Sequence, residues 1–163
     1  MVSKITEKII PEIREWQNRP LEKIYPFIFM DAIHYKIKDK GKIVNKAAYV
    51  VLGINIEGYK DVLGIWIRES ESSKFWQGRL NDLKTREIRK IIYTTNIIEE
   101  IHRQFRKVTK TKSVFPNDTA LEKMLYLATK NVVRKWTQRY RNWDIILNQL
   151  LIMYPERLSG YIN

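Results

Sequence analysis

A chain of 163 residues is long enough for one domain with a core and too short for two comfortable ones. At 44% hydrophobic and 12% aromatic it is no disordered tail, and thirty Lys and Arg against eighteen Asp and Glu leave +12, which favours a polyanionic partner, nucleic acid first, and opposes an acidic one. The lack of Cys excludes disulfides, thiol nucleophiles and Cys-based zinc sites.

The positive excess is uneven. Residues 1–100 carry 18 basic and 14 acidic side chains, whereas residues 101–163 carry 12 and 4, so a polyanion is expected mainly against the C-terminal half. Apolar runs fall well short of the roughly 18–20 residues of a membrane span, and the N-terminus has no apolar signal core. The expectation is a soluble, cytoplasmic protein with no membrane partner and no small-molecule substrate.

In chain order, Ile5, Ile9, Ile13 and Trp16 have helical spacing despite Pro11, and Asn18-Arg19-Pro20 ends that helix. From Ile24 to Ile37 the chain is almost continuously apolar or aromatic, the pattern of a strand buried on both faces. Asp39-Lys40-Gly41-Lys42 is turn chemistry; a second β-rich run, Ala47 to Ile56, turns at Glu57-Gly58 into a third, Val62 to Ile67. Three strands with short Gly-containing links predict an antiparallel meander.

Ser72 or Ser73 can cap a helix carrying Phe75, Trp76, Leu80 and Leu83. Thr95 or Asn96 begins another. Thr119 with Glu122 reads as the capping box of a third, with Leu121, Leu125, Ala128, Val132 and Trp136 along its face, and Asn142 begins a last one. The fold class is α+β, with a helical C-terminal half. A first strand buried on both faces should have neighbours on both edges, yet its meander fills one, and only Ile88 to Tyr93 is left to fill the other.

An Asp in the middle of the first of three antiparallel strands is the point at which a resemblance emerges. The runs Phe29-Met30-Asp31-Ala32-Ile33-His34-Tyr35-Lys36, Glu71-Ser72-Ser73-Lys74-Phe75-Trp76, Ile92-Tyr93-Thr94-Thr95-Asn96 with Ile98-Glu99, and Arg106-Lys107-Val108-Thr109-Lys110-Thr111 with Phe115-Pro116 resemble the catalytic core of mutator-type insertion-sequence transposases. The likeness covers nearly the whole chain in two blocks, residues 1–86 and 87–163, expected to form one domain.

The resemblance implies a ribonuclease H-like fold in which Asp, Asp and Glu hold Mg2+ or Mn2+ for cleavage and joining of transposon DNA ends. Asp31 matches the first Asp and Glu99 the Glu; both are candidate catalytic residues and metal ligands. The second Asp has no counterpart, and the family's intervening segment and the DNA-binding region before the core are not matched, so the resemblance points to an internally deleted and N-terminally shortened remnant. Two metal ions in such chemistry need a bridging carboxylate, and two carboxylates alone make an incomplete site. Glu100 and Asp82 match no family ligand.

Each reading has a rival. An acid in so apolar a segment as that of Asp31 is costly without a cation or a partner. Glu99 can equally serve as the capping-box acid of a helix that starts at Asn96. His34 points away from Asp31 and His102 reads as a helix-surface residue, so two isolated His make no site. Arg103, Arg106, Lys107, Lys110 and Lys112 form a stretch with no acid and read as one DNA-binding helix face or as a merely solvated one. Trp136, Tyr140 and Trp143, interleaved with basic residues, read as core packing or as base-stacking surfaces. The expected function is DDE transposition of an insertion element in a catalytically defective form; the alternative is a non-catalytic protein that binds DNA, itself or an intact transposase.

Overall fold

Lys40 and Gly41 both take positive φ, 48° and 78°, the conformation of the tight turn whose twist suits a two-residue hairpin. In the computed structural model, which describes residues 2–69 and 96–162 (backbone only for residues 2–6 and 96), this turn joins β1 (Phe27–Asp39) to β2 (Lys42–Ile54) in an unbroken antiparallel register from Phe27 opposite Ile54 to Asp39 opposite Lys42. β3 (Lys60–Arg68) adds to the other side of β2, with a bulge where Leu63 is skipped between Val62 and Gly64. The order β1-β2-β3 is the predicted meander. Around it lie α1 (Val2–Asn18), α2 (Asn96–Thr109), α3 (Asp118–Val133), α4 (Trp143–Met153) and the short α5 (Pro155–Leu158).

The expectation that the first strand is buried on both faces is corrected. Along β1, Asp31, His34, Lys36 and Lys38 are exposed; β2 is the strand enclosed above and below over residues 46–54. The continuous apolar run misled because Ile24, Tyr25 and Pro26 precede the strand and are buried in a loop. Within β1, odd positions such as Phe29 and Ile37 join the helix-facing core, while Ile28 packs with Tyr25, Val51 and Leu63 on the opposite face.

Both outer strands receive partners that are not strands. Gln17 on α1 lays its amide against Ile65, donating to the carbonyl (3.0 Å) and accepting from the N–H (3.2 Å), and Arg19 donates to the carbonyl of Val62 (2.8 Å). These side chains satisfy the edge of β3 as a neighbouring strand would. On the outer edge of β1, Phe115 donates to Lys36 O and accepts from Lys38 N, each at 2.8 Å. Farther along, the Asp31 carboxylate accepts from the N–H of Ala32 (2.8 Å).

The C-terminal half clasps the β2–β3 turn. Gly58, at φ 93°, lies under the Trp143 ring so closely that a Cβ there would come within 2.5 Å of the indole. Tyr140 N donates to Gly58 O (2.7 Å) and Trp143 Nε1 to Ile56 O (2.9 Å), while the Trp143 ring meets Phe27 edge-on at 5.8 Å. Packing, not base stacking, accounts for Trp143. Trp136 and Tyr140 lie half-buried against the same core.

The cap of α3 lies two residues before the predicted one: Asn117 Oδ1 accepts from Ala120 N (2.8 Å), and Thr119 lies inside the helix. Its predicted face is buried at Leu121, Leu125, Ala128 and Val132, and the helix ends before Trp136. α2 and α4 begin where the sequence indicated. The expected helix over residues 72–83, the strand at 88–93, Asp82, and the caps at Thr95 and Asn96 lie outside the described side chains. No described helix is long and apolar enough to cross a membrane.

Candidate functional site

Ile98, Ile101 and Phe105 set the inward face of α2, and they press it onto the helix-facing side of the sheet. One flank of the helix then carries Glu99, His102, Arg103 and Arg106, which recur at three- and four-residue spacing and share a side. Asp31 lies opposite. Together with Glu100 these side chains line a cleft of about 550 Å³. The strand acid and the helix acid singled out from sequence therefore border one cavity.

His102 was expected on the helix surface and is instead buried, at 6% exposure. Its position three residues after Glu99, and three before Phe105, puts it on the border between the cleft and the core. That spacing was the available signal. Nδ1 stands 3.6 Å from Asp31 Oδ2, too far for a hydrogen bond, and Nε2 is buried with no partner among the described residues. Burial pushes the imidazole below its ordinary pKa of 6.5; Asp31 and Glu99 pull it upward and Arg106 adds to the depression. Both carboxylates are thus close enough to act on His102.

Asp31 itself keeps its side chain 54% exposed, and Glu99 is exposed. Glu100 borders the cleft but directs its carboxylate to Lys60 Nζ and Trp136 Nε1, each at 3.5 Å. Among the described residues no three His, Cys, Asp or Glu side chains are grouped to hold a metal ion. Asp31 and Glu99 offer the hard oxygen donors that Mg2+ takes, but two of them do not complete a site. The described residues do not fit a two-metal centre.

The basic stretch is exposed throughout, yet it does not form one face. Arg103 and Arg106 enter the cleft, whereas Lys107 faces a groove between α2 and α3, lined also by Gln104, Val108, Ala128, Asn131, Arg134 and Lys135. Lys112 sits over the Phe115 ring at 5.9 Å, and Lys110 is exposed at the end of the helix. Asn131, Arg134 and Lys135 were not singled out from sequence; only the approach of α3 brings them beside Lys107.

Comparison with known proteins gives the family of the chain. A family model described as Transposase, Mutator family, matches residues 1–91 and, separately, 85–139. The chain belongs to that family. A probable transposase for an ISRM3-like insertion element of Sinorhizobium fredii is 25% identical over 263 residues, spanning 96% of this chain and 66% of the relative. One from Corynebacterium diphtheriae is 23% identical over 286 residues, spanning 99% of this chain and 83% of the relative. The IS256 transposase of Staphylococcus aureus is 34% identical over 86 residues, 52% of this chain and 22% of the relative. The two longer matches run over many more positions than the 163 residues that the chain contains.

Proposed function

We propose that this chain is an internally shortened transposase of the DDE type that binds DNA of its insertion element without cutting it. Asp31 and Glu99 are what remains of the metal-holding carboxylates, on a ribonuclease H-like core that retains the first three strands. The observation that carries this reading is the cleft itself: two elements far apart in sequence bring together the two acids of the family resemblance, and no further carboxylate completes the set among the described residues. The two-segment family match and the surplus length of the alignments support a missing middle. Arg103 and Arg106, beside the acids, suit the DNA strand that an intact site would act on.

The test is incubation of the purified chain with duplex DNA bearing the element's ends, in Mg2+ or Mn2+, with binding and cleavage read on the same samples. Retained binding with neither nicking nor joining is expected. Cleavage that disappears in both Asp31→Ala and Glu99→Gln would overturn the reading, since it would require a substitute ligand that completes the site.

A further inference from the structure

The groove on the other flank of α2 differs in chemistry from the cleft. Its polar wall consists of Lys107 and Gln104 from α2 and Asn131, Arg134 and Lys135 at the end of α3. No acid lines it. Its volume is about 540 Å³, and Val108, 37% exposed, gives it an apolar floor.

Some cations of the protein are paired with acids: Lys46 with Asp39 and Asp118, Arg19 with Asp61, Lys130 with Glu12, Lys60 with Glu100 and Arg139 with Asp144. Among the described residues none of Lys107, Arg134 and Lys135 meets a carboxylate. Cations at a helix C-terminus do favour the helix dipole, which would account for Arg134 and Lys135 as purely structural. The same effect suits Lys107 in the last turn of α2, but it does not account for the cations of two helix ends converging on one space together with two amides.

We infer that the α2–α3 groove is a binding site for the phosphodiester backbone of duplex DNA, one that needs no metal ion. Lys107, Arg134 and Lys135 supply charge, Gln104 and Asn131 supply neutral donors to phosphate oxygens, and Val108 meets the sugar face. In the cleft, Asp31 and Glu99 offset the charges of Arg103 and Arg106 and repel a phosphate, so without a divalent ion the cleft holds DNA more weakly than the groove. In the absence of divalent ions the groove is therefore where DNA is held. The inference rests on the proposal that the chain binds DNA, and it adds where and under what ionic conditions.

The experiment is fluorescence anisotropy with a labelled duplex in EDTA over a range of monovalent salt, on the full chain. Compared are the wild type, a groove variant (Lys107→Gln, Arg134→Gln, Lys135→Gln), a variant of equal charge change at exposed cations on other elements (Lys23→Gln, Lys42→Gln, Arg157→Gln), and Asp31→Asn. Expected is tight binding by the wild type, loss of about tenfold or more in the groove variant, and a log–log salt slope flatter by up to about 2.7, from roughly 0.9 per phosphate contact. The charge-matched variant should lose clearly less, and Asp31→Asn should bind as well as the wild type or better. Equal losses in the two triple variants would reduce the effect to bulk charge and overturn the groove assignment, as would an unchanged groove variant. A wild type that binds no duplex at any salt would instead remove the DNA-binding proposal itself.

Discussion

The two flanks of α2 are built on one helix and differ in what lies across from them. On one side β1 contributes Asp31, so the flank bearing Arg103 and Arg106 becomes a cleft of mixed charge around a buried imidazole. On the other side α3 contributes Asn131, Arg134 and Lys135, and the flank bearing Lys107 becomes a groove of positive charge alone. Acids in the cleft repel a phosphate and offset its arginines, while the groove sets no described acid against one. Under the proposed function, this difference separates holding DNA from acting on it.

Phe105 supports both flanks, since it is fully buried at the centre of the inward face of α2. Phe105→Ala should cost about 3–5 kcal/mol of stability, measured by urea denaturation, and should both weaken DNA binding in EDTA, which reads the groove, and shift the NMR signals of His102, which read the cleft. If either readout stayed unchanged, the two flanks would not share α2 as a common support.

Lys46 supports one flank more than the other. Its ammonium, largely buried on β2, lies 3.0 Å from Asp39 and 3.0 Å from Asp118 in the first turn of α3. Removing it in Lys46→Met leaves two partly exposed acids unpaired, for a loss of roughly 1–2 kcal/mol after allowance for solvent screening. Since α3 walls the groove and not the cleft, hydrogen exchange should quicken in α3 before β1; faster exchange in β1 alone would contradict this division.

The smallest effect is on the cleft side. Burial holds the His102 pKa below its unfolded value of 6.5, so as pH falls below about 6.5 the unfolded chain takes up the proton first and native stability declines until the folded-state pKa is passed. Above that pH the contribution is constant. His102→Gln should flatten the stability profile on the acid side below pH 6.5. The NMR titration of the imidazole gives a second check, because Asp31 raises its pKa and Asp31→Asn should lower it further.

Local chemistry in the sequence was enough to determine the meander and the limits of several helices, whereas Glu99 was singled out by the family resemblance. Lys40-Gly41 admits the positive φ that a tight hairpin requires, Ile5 to Trp16 repeats at helical spacing, and Asp31 stands out because an acid inside an apolar run needs a reason. Each of those signals lies within a few residues of the feature it specifies. The tertiary structure alone decided which strand is enclosed and which basic residues act together. β2 is enclosed because β1 and β3 cover its edges and apolar clusters pack on both of its faces, and no run of apolar letters reports neighbours. Likewise His102 differs from a surface histidine only through the sheet beneath it. Lys107 joins Arg134 and Lys135, not Arg106, because α3 packs along one side of α2 and β1 crosses the other, and contacts between residues distant in the chain leave no periodic trace in either segment.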